Sequence, residues 1–240
     1  KKPGADDFHF TLMDASHTNI DFNNKLTEND AVNFLNDQYI YIGAGVGAGD
    51  FNNDGLQDLF FAGGQVSSKL YINKGNFEFE DVTERAGVKT DEWCTGVSVV
   101  DINNDGLNDI YVCVSHAHNP EQRRNLLFIN KGNLKFSEEA KEYGLDDPGF
   151  STQAAFVDYD KDGDLDMYLM NHKAFQREPN NIVQDGKTSF VAADKLYRNE
   201  GTSPGRDHPV FKDVSEQAGI MEMGYGLGLS ISDFNNDGWP

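Results

Sequence analysis

Apolar residues fall along this chain in runs of four or five, without the long periodic stripes of amphipathic helices. Residues 59–62 (LFFA), 110–114 (IYVCV) and 167–170 (MYLM) are β-branched, aromatic or otherwise apolar and directly follow polar, Gly-containing segments. Such runs predict short buried strands. The segments upstream, such as 95–100 (TGVSVV) and 226–231 (GLGLSI), are rich in Gly and small residues, and glycine inside a strand marks close backbone approach. Segments 81–88, 138–145 and 213–220 (DVTERAGV, EEAKEYGL, DVSEQAGI) each end at Gly plus one apolar residue. Eight residues are marginal for a helix, so the expectation is an extended piece followed by one turn.

Between these strands lies a repeat. DFNNDGLQD at 50–58, DINNDGLND at 101–109, DYDKDGDLD at 158–166 and DFNNDGWP at 233–240 share the template D-x-[DN]-x-D-G, and the first three close with Asp at the ninth position. A second element, an aromatic followed by x-N-[KE]-G, recurs at Tyr71 to Gly75, Phe128 to Gly132 and Tyr197 to Gly201, and a Phe follows it at 79, 136 and 211. From that Phe to the next loop's first Asp the distance is 22 residues in all three cases. All variation in length lies between the loop and the N-[KE]-G turn, apart from six extra residues before Phe211. Fixed strands with one set of free connecting loops produce this pattern.

Each unit offers a strand before the loop, one after it, one ending at the N-[KE]-G turn and one beginning near the spaced Phe. Four strands in about 50 residues is the size of one propeller blade. The predicted fold is therefore all-β, a β-propeller of four-stranded blades with about four represented and the last incomplete. The units lie near 10–78, 79–135, 136–210 and 211–240, behind a disordered N-terminal segment at 1–9. Segment 10–20 resembles 79–88, and residues within 21–42 read as an insertion in the first unit. The fourth unit stops inside its loop, so a closed four-bladed ring is excluded and further blades are expected after Pro240.

The acidic loops carry the candidate chemistry. Ca²⁺ takes six to eight oxygen ligands, and a short loop wraps it when alternate residues point inward. In the first loop Asp50, Asn52 and Asp54 supply side-chain oxygens, Leu56 a backbone carbonyl, and Asp58 closes the site. The same roles fall on Asp101, Asn103, Asp105, Leu107 and Asp109, and on Asp158, Asp160, Asp162, Asp164 and Asp166. The partial fourth loop offers Asp233, Asn235 and Asp237, with Trp239 at the carbonyl position. Mg²⁺ demands compact octahedral geometry, and zinc wants His or Cys. The expectation is one Ca²⁺ per loop, three complete sites and one partial, tightest in the third loop, where four carboxylates stand at side-chain ligand positions.

Charge agrees with this. Forty acidic against 20 basic residues leave −20, and 13 of the aspartates sit in the four loops. Phosphate contacts need clustered Lys and Arg, so nucleic acid is excluded as a partner. The 28 aromatics supply a core. No apolar run reaches a membrane span, and KKPGADD lacks the apolar stretch of a signal peptide. An exported chain has therefore already lost its signal. Cys94 and Cys113 make no disulfide framework and read as small buried hydrophobes. GAGVGA at 43–48 matches a dinucleotide fingerprint, but an acidic loop follows it in place of the required helix.

The D-x-[DN]-x-D-G-x-x-D loop between strands resembles the calcium loops of FG-GAP and VCBS-type repeats, known from integrin α propellers. The N-K-G, F-x-D-V-T-E-x-A-G-V and D-F-N-N-D-G-W-P strings resemble more closely the secreted cartilage-acidic-protein type and its bacterial relatives. No literal Phe-Gly…Gly-Ala-Pro string occurs, so the integrin likeness is looser. The resemblance implies a calcium-binding propeller on an extracellular or cell-envelope protein.

His116 and His172, six or seven residues beyond a loop's last Asp, are expected to leave the same strand on the same face in adjacent blades. With His118 they stand at the start of the insertions near 115–125 and 171–195, a candidate ligand or second metal site. The functional expectation is a calcium-stabilised scaffold for binding or adhesion, without catalysis of its own, with protein or glycan partners on the insertion face. The alternative is a calcium-dependent carbohydrate-active propeller, either a lectin or a polysaccharide lyase.

Overall fold

A computed structural model describes residues 11–36, 39–116, 119–172, 193–220, 224 and 226–239. The expected short strands form three four-stranded antiparallel sheets in chain order. The first holds β1 (Val46–Gly49), β2 (Asp58–Phe61), β3 (Lys69–Asn73) and β4 (Phe79–Asp81). The second holds β5 (Cys94–Val100), β6 (Asp109–Val114), β7 (Leu126–Asn130) and β8 (Phe136–Glu138). The third holds β9 (Ser151–Val157), β10 (Asp166–Asn171), β11 (Lys195–Thr202) and β12 (Pro209–Asp213). In each sheet the acidic loop joins the first two strands, whose register begins at Gly49 with Asp58, Val100 with Asp109 and Val157 with Asp166. The last strand opens at the spaced Phe, so sequence repeat and sheet are offset by one strand.

That constant interval contains the fourth strand, a single helical turn and the next sheet's first strand. The turns are α1 (Ala15–Thr18) in the N-terminal segment, then α2 (Thr83–Ala86), α3 (Ala140–Tyr143) and α4 (Ser215–Ala218). α2 to α4 end on Gly87, Gly144 and Gly219 with φ of 80°, 77° and 74°. The next residue's N–H returns to the turn, as from Val88 to the Thr83 carbonyl and from Leu145 to that of Ala140. A left-handed residue at this point satisfies carbonyls that a short helix leaves open. α1 ends the same way on Asn19 at φ 57°, which supports reading the N-terminal segment as a further copy. The N-terminal segment 1–9 and most of the 171–195 insertion lie outside the described residues.

The core lies between sheets. On β6, Ile110, Val112 and Val114 face the first sheet's Phe60, Leu70 and Ile72, whereas Tyr111 and Cys113 face the third sheet's Met167 and Leu169. The alternation is the period of two expected of a strand. It also puts Cys94 in one core and Cys113 in the other, on opposite faces of one sheet. Two thiols pointing apart cannot bridge. Burial pushes the Cys94 thiol up to about 11, which makes it inert.

The first strands pack side by side through glycine. The Gly45 N–H donates to the Thr95 carbonyl at 2.5 Å. A Cβ on Gly45 would meet Val97 N at 2.8 Å, and one on Gly96 would meet Thr152 O at 2.3 Å. The fourth copy's segment 226–231 forms no strand, contrary to expectation. The segment instead lies along β9, where Leu229 N–H donates to Gln153 Oε1. Its Phe234 is 92% exposed, while the corresponding Phe51 and Ile102 are buried.

Candidate metal centres

The three complete acidic loops share one set of contacts. The first Asp accepts from the backbone of the loop tip. Asp54 N and Gly55 N donate to the two oxygens of Asp50 at 3.1 and 2.7 Å, Asp105 N and Gly106 N to Asp101 at 3.0 and 2.8 Å, and Asp162 N and Gly163 N to Asp158, both at 3.1 Å. The fifth-position carboxylate accepts from the seventh residue: Leu56 N to Asp54, Leu107 N to Asp105 and Asp164 N to Asp162, at 2.9 to 3.0 Å. The fourth loop repeats both, with Gly238 N on Asp233 at 2.8 Å and Trp239 N on Asp237 at 3.0 Å. Gly55, Gly106, Gly163 and Gly238 have φ between 84° and 98°, a region where a side chain is strained.

The ninth-position aspartates behave differently. Asp58, Asp109 and Asp166 are fully buried. One oxygen of each accepts from the loop's second residue, Phe51, Ile102 or Tyr159, at 2.9 to 3.1 Å. The other accepts from the Asn of the N-[KE]-G turn, Asn73, Asn130 or Asn199, at 2.7 to 2.8 Å. Each Asn side chain then bridges onward, Oδ1 accepting from Gly75, Gly132 or Gly201 and Nδ2 reaching the eighth loop residue's carbonyl. Sequence reasoning found this Asn as a repeated letter but not as the brace of the loop.

The loops are also tied across sheets. Asn130 Nδ2 donates to the Phe51 carbonyl, Asn108 Nδ2 to that of Asp50 and Asn53 Nδ2 to that of Gly106. Lys161 Nζ stands 4.8 Å from the Trp239 ring, linking the third loop to the fourth. In the third loop, ligand oxygens of Asp158, Asp160 and Asp166 lie within 4.8 Å of one another.

Burial raises the pKa of Asp58, Asp109 and Asp166, and backbone N–H donors only partly oppose it. Asp109 is pushed up to about 7. In the ion-free chain the folded state therefore holds a proton that the unfolded state releases near pH 4. This contribution to stability is complete below that value and is lost as pH rises through about 7. We expect the chelated protein to melt at falling temperature from pH 5 to pH 7.5, and the Asp109→Asn variant to show a flatter profile. Parallel profiles for the two proteins would contradict the assignment.

The histidines do not form the expected arrangement. Ser115 N donates to the Trp93 carbonyl and His172 N to that of Phe150, so the counterpart of His172 is Ser115 and not His116. His116 lies one residue further on, beyond the end of β6 and at a φ of 72°, so it does not continue the strand as His172 does. His116 stacks on Trp93 at 3.9 Å, whereas His172 is buried against Tyr39 at 4.4 Å. His118 lies outside the described residues.

Among the described residues no helix is long and apolar enough to cross a membrane. Residues 50–112, which contain the first two acidic loops, match the FG-GAP-like repeat family. The chain is 26% identical over 200 residues to cartilage acidic protein 1 of Xenopus tropicalis and 25% identical over 198 residues to that of Homo sapiens. Each match covers 82% of this chain and 27% of the relative. It is also 27% identical over 166 residues to a T-cell immunomodulatory protein homolog of Plasmodium yoelii yoelii, covering 60% of this chain and 22% of that protein. The chain thus spans about a quarter of the length of the curated relatives it matches. Three sheets built on one loop template, together with these matches, give residues 50–112 as an FG-GAP-like repeat and make the chain similar to the cartilage-acidic-protein type.

Proposed function

We propose that the chain is part of a calcium-stabilised β-propeller that serves as a binding or adhesion scaffold outside the cell or in its envelope, with no catalysis of its own. The observation that carries the metal reading is the third loop, where oxygens of Asp158, Asp160 and Asp166 lie within 4.8 Å of one another. Two oxygens on opposite sides of one Ca²⁺, each at 2.3–2.6 Å, are about 5 Å apart, so this spacing suits a single ion. The donors are all oxygens, which favours a hard cation over zinc. Each carboxylate oxygen that accepts one N–H keeps a second lone pair for the ion. Asp50, Asn52, Asp54 and Asp58 would hold an ion in the first loop, Asp101, Asn103, Asp105 and Asp109 in the second, and Asp162 would join the trio in the third. Leu56, Leu107 and Asp164 would add backbone carbonyls, and Asp233, Asn235, Asp237 and Trp239 would form the partial fourth site. The ion neutralises carboxylates that otherwise repel one another.

The relatives' name, cartilage acidic protein, supports a location outside the cell. Partners, protein or glycan, would dock where the insertions lie, because loops grafted onto a rigid scaffold carry recognition. Native mass spectrometry against a calcium titration tests the metal reading. We expect three ions to bind saturably and the Asp160→Ala variant to lose one. Binding of none, or unaltered stoichiometry in the variant, would contradict it.

A further inference from the structure

At the ends of the strands opposite the acidic loops, a cavity of about 160 Å³ opens between the first-unit insertion and the first sheet. Its walls include Lys25, Leu26, Tyr41, Gly64, Gln65 and Trp93. The walls are clamped together. Asn24 Oδ1 accepts from Gly64 N at 3.0 Å, and Gln65 exchanges two hydrogen bonds with the backbone of Thr27 at 2.6 and 3.1 Å. Trp93 is held by the His116 ring at 3.9 Å and by the Ser115 N–H on its carbonyl. A Cβ on Gly64 would lie 3.0 Å from the indole Nε1, so glycine is what admits the indole edge at that place. A preformed pocket of this kind binds without ordering its own walls first.

Its chemistry is one-sided. In a chain of net charge −20, Lys25 is the only charged side chain among the described residues lining the cavity. Its ammonium makes no ion pair among the described residues. Trp93 Nε1 likewise donates to no protein group among them. The Gln65 amide and the Asn24 Oδ1 are committed to the clamp, and Glu28, which accepts from Tyr41 Oη, is not a lining residue. What remains among the lining side chains is a set of N–H donors, those of Lys25, Trp93 and the Asn24 Nδ2, one of them cationic, on aromatic and aliphatic walls.

We propose that this cavity binds one acidic sugar unit, a hexuronate at the end of a glycan. Trp93, Tyr41 and Leu26 receive the apolar face of the ring, Trp93 Nε1 donates to a ring or hydroxyl oxygen, and Lys25 pairs with the carboxylate. The volume equals the liquid share of about five waters, room for one ring. The inference rests on the scaffold reading above and names a ligand for its insertion face.

The test uses the calcium-loaded Trp239→Phe protein, in which Trp93 is the sole indole, and follows its fluorescence while glucuronate, galacturonate, glucose and acetate are added in turn. Saturable change with a uronate, weaker by at least about tenfold for glucose and acetate and after Lys25→Met, is the expected result. A uronate-ended oligomer binding more tightly than the monosaccharide identifies a glycan end as the source. No saturable response to any uronate, or a response that Lys25→Met leaves unchanged, overturns the proposal. Because Lys25 is exposed and remote from the acidic loops, the calcium-induced stabilisation of the variant is read in parallel. Its persistence confines a negative result to this pocket and leaves the scaffold reading standing.

Discussion

Asp109→Ala is expected to lower the unfolding free energy by about 3–5 kcal/mol in calcium, measured by denaturant titration. The buried carboxylate takes the N–H groups of Ile102 and Asn130, and alanine leaves both without a partner. Each unpaired buried donor costs roughly 1–3 kcal/mol. The proposed ion also loses a ligand. The comparison that isolates the bracing role is Asp105→Ala in chelator, because Asp105 is exposed at the loop tip. With no ion to bind, Asp105→Ala is expected to cost far less than Asp109→Ala. Equal losses would mean that the ninth-position Asp acts only as a ligand and not as part of the fold.

Gly96→Ala is expected to cost about 3 kcal/mol or more. The added Cβ would fall 2.3 Å from the Thr152 carbonyl oxygen and 3.0 Å from Gln153 Cα, both backbone atoms of β9. Backbone in a paired strand cannot rotate away, so β5 and β9 must separate. Gly47→Ala meets only the Val97 and Val99 side chains, at 2.7 and 2.9 Å, and these can shift. Gly106→Ala meets nothing within 4 Å and pays only for its φ of 84°, about 1–2 kcal/mol. Thermal melts of the three variants should therefore place Gly96→Ala lowest. A Gly96→Ala protein as stable as Gly106→Ala would show that the first strands do not pack as described.

Much of the fold was legible because it repeats. The constant interval from Phe79, Phe136 and Phe211 to the next loop spans elements with no free connection to lengthen, so four strands per unit followed from spacing alone. Alternation on β6 was readable as apolar content, but which residue faced which sheet was not, since both faces are buried. The brace was invisible for a different reason. Asn73, Asn130 and Asn199 lie 15, 21 and 33 residues beyond the aspartates they bind, and only the strand register brings them together. The histidines depart from expectation for a related reason: they lie six and seven residues beyond the loop, and that single residue carries His116 past the end of β6 to a φ of 72°. The third sheet adds a register shift at Met170 and Asn171, next to His172. Insertions hid the cavity as well, since its walls come from residues 24–26, 40–41, 43, 64–65 and 93.

The central claim is that calcium belongs to the fold, and thermal unfolding in excess calcium and in excess chelator tests it most directly. A ligand bound only by the folded state stabilises it by about 2.7 kcal/mol per site at a hundredfold excess over its dissociation constant. Three such sites predict a large rise in melting temperature with calcium, abolished by chelator and much reduced for magnesium. A melting temperature that is the same in calcium and in chelator would contradict the account.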